Sequence, residues 1–168
     1  TRALHLRAGR NLSEVTAILT RQLGIAHRIV PMSDDPVRTQ VRTDEGWLDF
    51  QHYFVREQCR PEVRGVRFAG AEKAQLSDGF AEGLSRSDLA AVVICPSNPW
   101  LSVDPILSIP GVRDRLDALP VPVIAVSPLV GGVALKGPLA KLMAELGQPV
   151  TNLGLAGHYN GLLDHLVI

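Results

Sequence analysis

Leu89-Ala-Ala-Val-Val-Ile-Cys95 is an unbroken apolar run, too short for a helix and rich in β-branched residues. That pattern predicts a strand buried on both faces of a parallel sheet. At Pro96 it gives way to Ser-Asn-Pro, a small polar loop. About thirty residues downstream the arrangement returns: Val121–Val126 is apolar and opens into Ser127-Pro-Leu-Val-Gly-Gly-Val-Ala-Leu-Lys-Gly-Pro138. Two strand-to-loop units so spaced predict neighbouring parallel strands whose loops face one crevice, where open α/β sheets bind ligands.

The other segments frame these two. Leu12, Val15, Ile18, Leu19 and Leu23 share one helical face, with Asn11 or Ser13 as cap and Gly24 just past the end. Arg2–Gly9 reads as the tail of an earlier helix, and Ala26–Val30 as a short strand ending at Pro31. Val37, Thr39, Val41 and Thr43 alternate, Asp44-Glu-Gly46 turns, and Trp47–Phe50 returns, predicting a β-hairpin. Phe50–Arg56 is expected to be helical and carries three aromatic rings. These form either a small core under the hairpin or a lip for a flat ligand. Val63–Phe68 reads as a strand, Ala81–Arg86 and Gly111–Leu119 as short helices. Pro138–Gly147 is a helix with proline at its first turn and glycine after its end. Thr151–Leu155 and His165–Ile168 are the last expected strands. Strands alternating with helices predict an α/β fold, Rossmann-like and three-layered, with a mostly parallel sheet. Residues 1–168 make one domain, and 32–60 form a hairpin and helical insertion placed as a lip.

Composition narrows the function. Lys+Arg and Asp+Glu balance at 17 each, so no net field draws nucleic acid or an anionic membrane. No run approaches the length of a membrane span and no secretory signal is present. The two cysteines, Cys59 and Cys95, read as reduced thiols of a cytoplasmic chain. The chain opens at Thr1 and closes inside an apolar run, which reads as a piece of a longer polypeptide.

The candidate chemistry sits in the loops. Gly131-Gly132 lets backbone amides approach a ligand, and Lys136 precedes a helix start, where an anion is favoured. Together they make either a phosphate cradle or a plain turn with a surface lysine; the P-loop and Gly-x-Gly-x-x-Gly spacings are absent. Ser97 and Asn98 either meet a nucleotide or cap their loop. Asp34-Asp35 and Asp104 are carboxylates of the kind magnesium takes, and equally ordinary turn formers. The five histidines show no ligand spacing, and no Ser/His/Asp set can be argued.

Four stretches carry a resemblance: Met32-Ser-Asp-Asp-Pro-Val-Arg-Thr39, Asp49-Phe-Gln-His-Tyr-Phe-Val-Arg56, the Cys95–Arg113 segment with Pro-Ser-Asn-Pro, and Ala125-Val-Ser-Pro-Leu-Val-Gly-Gly-Val-Ala-Leu-Lys-Gly-Pro138. In this order they resemble the 2-phospho-L-lactate transferases of deazaflavin coenzyme F-420 biosynthesis. The resemblance implies a guanosine-diphosphate-linked donor carrying phospholactate, phosphoenolpyruvate or phosphoglycerate. The ribityl hydroxyl of 7,8-didemethyl-8-hydroxy-5-deazariboflavin would attack its distal phosphorus, releasing GMP, with magnesium neutralising the diphosphate. On that reading Ser97, Asn98, Ser127, Gly131, Gly132 and Lys136 face the donor, with Lys136 also catalytic. Met32, Asp34, Gln51 and Tyr53 face the acceptor. The family's metal ligands and glycine-rich first loop are expected upstream of Thr1. No metal site is therefore assigned to this chain, and little activity is expected of it in isolation. Asp104 stands where the family motif has glycine. A homodimer is the expected assembly from the resemblance. The competing reading is a non-enzymatic, nucleotide-sugar-binding regulator of the same fold, which Pro96-Ser-Asn-Pro99 disfavours. A flavin-binding redox domain lacks its phosphate loop here.

Overall fold

The computed structural model describes residues 1–131, 133–134 and 137–168. Two short helices open it, α1 (Arg2–Arg7) and α2 (Leu12–Gln22). The second starts with a complete capping box: Asn11 Oδ1 accepts the Glu14 amide at 2.8 Å while Glu14 Oε2 accepts the Asn11 amide at 3.0 Å. Ala26–Val30, expected as a strand, joins no strand ladder among the described residues. Ile29 is half exposed, and the chain just beyond is held by Ser77, whose hydroxyl donates to the Pro31 carbonyl at 2.6 Å and whose amide donates to the Met32 carbonyl at 3.1 Å. Anchorage by a side chain replaces the ladder.

The predicted hairpin is present. β1 (Arg38–Thr43) and β2 (Gly46–Asp49) pair antiparallel around a turn in which Gly46 takes φ 105°. One π-helical turn, His52–Arg56, follows. β3 (Gly65–Ala69) adds to the free edge of β1, so this antiparallel sheet runs β2-β1-β3 and extends past residue 60.

After α3 (Asp78–Leu84), capped by Ser77, comes β4 (Val92–Ile94). A π-helical stretch, Pro99–Val103, runs straight into α4 (Asp104–Leu107), and α5 (Val112–Asp117) leads to β5 (Val123–Val126). The β6 (Leu129–Val130) and β7 (Val133–Ala134) pair follows, then α6 (Leu139–Glu145), α7 (Asn152–His158) and β8 (His165–Val167). The second sheet is parallel in the order β4-β5-β8, as expected of an α/β fold, and puts the two predicted strand-to-loop units side by side.

Two expectations fail here. Thr151–Leu155 is not a strand: Thr151 accepts the Gly154 amide at 3.0 Å and caps α7. Leu155 is buried within α7, and Tyr159 and Leu162, past its last residue, are buried too. The Leu89–Cys95 run is not buried on both faces either. Only Val92–Ile94 is strand, with β5 on one side, and Val93 is 55% exposed. The faces of the parallel sheet differ along the pleat. Val92, Ile94, Val123, Ala125 and Leu166 join the core with Leu142, Met143 and Leu155. Val93, Val126 and Val167 alternate with them, and Val167 is 51% exposed. Among the described residues no helix is long and apolar enough to cross a membrane.

Candidate functional site

The site is built where β4 and β5 end. Behind β4, Pro96-Ser-Asn-Pro99 turns the chain, and Asn98 caps the π-helical stretch, its Oδ1 accepting the Leu101 amide at 3.2 Å. That uses one end of the carboxamide. The other, Nδ2, is buried and has no partner, and an amide donor out of water without an acceptor is costly. Ser97 lies beside a mainly apolar cavity of about 290 Å³ whose wall includes Phe80, Val93 and Val103.

Behind β5, Ser127 is 7% exposed and its hydroxyl proton is already committed. Its Oγ accepts the Leu129 amide at 3.0 Å and donates to Asn152 Oδ1 at 2.6 Å. The hydroxyl shapes the loop and has no proton left to donate to a ligand. Gly131 follows with φ 59° and open space where a side chain would stand, so its backbone remains approachable. Gly132 and Lys136, predicted for the donor side, lie outside the described residues.

The acceptor-side candidates are placed differently from one another. Met32 and Asp34 line a groove of about 330 Å³ running from Arg2 to Arg38. Gln51 is exposed beside a second hollow of about 290 Å³, which Arg38 also lines. Asp34 is held by the fold itself. Its Oδ1 accepts the Ser13 amide at 2.6 Å and its Oδ2 the Ser13 hydroxyl at 2.9 Å, serving the first turn of α2. Tyr53 is wholly buried. Burial, with the nearby Cys59 and Glu145, pushes its phenol far above the usual range. Its hydroxyl points to the Cys59 and Pro61 carbonyls at 3.3 and 3.5 Å. Tyr53 therefore belongs to the core reading of the aromatic segment, whereas Phe54 is 43% exposed and stacks on Phe50 at 5.4 Å. No single cavity described above is lined by donor-side and acceptor-side candidates together.

A network that sequence reading missed joins the hairpin region to the helix after the glycine loop. Lys141 on α6 donates to the Pro61 carbonyl at 2.8 Å and to Glu145 at 2.6 Å, and Glu145 Oε2 accepts the Val63 amide at 2.9 Å. The Lys-x-x-x-Glu spacing was its one available signal. A second is the pair of Asp104 with His158, whose Nε2 lies 2.9 and 3.0 Å from the two carboxylate oxygens. Trp100 packs on the imidazole with centroids 4.1 Å apart. Burial and the Asp104 charge push the Tyr159 phenol up to about 12. The carboxylates considered for magnesium are thus dispersed: Asp34 to Ser13, Asp35 to the Gln75 amide at 2.9 Å, Asp104 to His158. Among the described residues no three His, Cys, Asp or Glu side chains gather. The described residues do not fit that ion.

The sequence model of the family described as 2-phospho-L-lactate transferase (CofD) matches residues 1–168. The chain belongs to that family. It is 38% identical over 162 residues to the 2-phospho-L-lactate transferase of Methanosarcina mazei, covering 96% of this chain and 52% of that protein. The Methanopyrus kandleri 2-phospho-L-lactate transferase is 42% identical, covering 90% and 47%. A Kitasatospora aureofaciens relative named phosphoenolpyruvate transferase is 36% identical, covering 94% and 50%. The chain therefore spans about half the length of the curated relatives it matches. The fold agrees with a crystal structure of a Bacillus halodurans member of the UPF0052 family, at TM-score 0.54 and 14% identity over 69% of this chain and 36% of that one. A second structure from that organism gives 0.56 at 12% identity, over 94% and 55%. At such identity the likeness concerns architecture alone.

Proposed function

We propose that the chain forms the donor-binding part of a transferase. The enzyme moves a phospholactyl-type group from a guanosine-diphosphate-linked donor to the ribityl hydroxyl of 7,8-didemethyl-8-hydroxy-5-deazariboflavin and releases GMP. The observation that carries the reading is Asn98. Its buried, unpaired Nδ2 lies at the carboxyl end of a parallel strand, and a phosphate, ribose or base oxygen would complete it. The motif around it is one of those that resemble the 2-phospho-L-lactate transferases.

Each group then has a role set by its surroundings. Asn98 donates to the nucleotide, Ser97 offers a hydroxyl beside it, and the Gly131 backbone approaches the diphosphate. Ser127 acts indirectly, holding the loop through Leu129 and Asn152. Lys136 and Gly132 complete the anion cradle, Lys136 neutralising charge on the departing GMP. Met32 and Gln51 serve the acceptor, with Phe50 and Phe54 as its aromatic wall; Asp34 assists by fixing α2. Catalysis is positioning and charge stabilisation, as phosphoryl transfer requires. Magnesium, for which the described residues offer no ligand set, would supply charge neutralisation at the diphosphate.

The donor's three-carbon acid is phospholactate, phosphoenolpyruvate or phosphoglycerate; relatives named for the first two match this chain. The test is a mass-spectrometric assay on a polypeptide of the relatives' length containing this chain, with acceptor, magnesium and each guanosine-linked donor separately. A mass gain on the deazaflavin with GMP formed supports the proposal and names the acid. No transfer from any donor, with tight binding of a uridine-diphosphate sugar, favours the regulatory reading.

A further inference from the structure

Helix α7 is tied at both ends to the loops of the site. At its first residue Asn152 Oδ1 accepts the Ser127 hydroxyl at 2.6 Å, behind β5. At its last, His158 Nε2 reaches both oxygens of Asp104 at 2.9 and 3.0 Å, at the end of the segment behind β4. Neither tie is a loose surface contact: the His158 and Asp104 side chains are 17% and 22% exposed, and Ser127 is 7% exposed. The imidazole also lies on Trp100, in the π-helical stretch that Asn98 caps. A seven-residue helix is about 10 Å long and stiff, so it fixes the separation of whatever its ends hold.

We propose that α7 is a brace between the two strand-end loops, and that Asn152, Asp104 and His158 are positioning residues for the donor site. The proposal rests on the donor-binding reading only for its consequence, not for its geometry. Two ties in series have a signature that two independent contacts lack. Cutting either end frees the brace, so cutting both adds little.

The variants are Asn152→Ala, His158→Phe, which keeps a ring on Trp100, their double, and His158→Gln, which restores a donor. The first readout is amide hydrogen exchange in the 168-residue protein. Each single variant is expected to raise exchange about tenfold or more both in residues 99–104 and in residues 127–130. The double is expected to match the singles, and His158→Gln to revert towards the parent. The second readout is affinity for guanosine diphosphate by calorimetry, expected to fall about tenfold in each single and no further in the double. Exchange that rises only in the loop whose own tie was cut, or additive effects in the double, would overturn the brace. Failure of the parent to bind guanosine diphosphate would sink the donor-site reading and leave the exchange result to decide the brace.

Discussion

Replacing Glu145 by alanine removes the group on which one closure of the structure depends. Glu145 Oε2 is the acceptor of the Val63 amide at 2.9 Å, and Val63 is wholly buried. Glu145 is also the partner of Lys141 at 2.6 Å, with side chains 20% and 34% exposed. A hydrogen bond to a charged acceptor contributes about 1.5–3 kcal/mol. A partly exposed Lys–Glu pair four residues apart adds about 0.5 kcal/mol. Lysine stands before glutamate here, the weaker order for a purely helical pair, so most of the loss is tertiary. The expected cost is about 2–3 kcal/mol, on the order of 5–10 °C in Tm for a domain of this size. Glu145→Gln keeps an oxygen for the Val63 amide and should cost about 1 kcal/mol. Urea unfolding followed by fluorescence and circular dichroism reads both, with unchanged slope as the check that only stability moved. An alanine variant within about 0.5 kcal/mol of the parent, the range of ordinary surface changes, would overturn this expectation. So would a glutamine variant as costly as alanine.

Other perturbations separate the buried from the accessible groups. Gly154→Ala would place a Cβ 2.2 Å from the Pro149 carbonyl oxygen; a loss of about 3 kcal/mol is expected, from overpacking against backbone, read by the same unfolding curves. Tyr53→Phe should lower stability by about 1 kcal/mol while leaving deazaflavin affinity unchanged in equilibrium dialysis, because the phenol faces the Cys59 and Pro61 carbonyls. Both tyrosines have folded-state pKa values raised above their unfolded ones, Tyr159 to about 12. Their contribution is complete below about pH 10 and lost as pH rises towards and through 12, so the urea midpoint should fall across that window and not between pH 7 and 9.

What could be read from the sequence was what depends on local pattern. The hairpin was legible because alternation and an Asp-Glu-Gly turn agree, and α6 because proline and glycine bracket an apolar stripe. The adjacency of the two strand-to-loop units followed from their spacing and is realised as the β4-β5 pair. Failures came where one residue type serves two purposes. Thr151 looks like a strand residue and acts as a helix cap, and the short helix it starts buries only Leu155, so no apolar stripe announces it. The Leu89 run promised a strand covered on both faces, yet residue 93 lies in an edge strand. Tyr53 was ambiguous because an aromatic ring near a groove reads alike whether it lines the wall or fills the core. Asn152, His158, Lys141 and Glu145 were not legible as a site at all. Their partners are Ser127, Asp104, Pro61 and Val63, and most of those pairings are made only by the tertiary fold.

That the strand-end crevice receives a guanosine-linked diphosphate through Asn98 is the proposal on which the other roles depend. Its most direct test is a titration of the protein with guanosine diphosphate, followed by the side-chain amide resonances of its asparagines and repeated with Asn98→Ala. Saturable binding is expected, shifting the Asn98 carboxamide more than any other and weakened strongly by Asn98→Ala without unfolding of the protein. Binding that leaves that carboxamide unmoved, or preference for a uridine-diphosphate sugar over guanosine diphosphate, would contradict it.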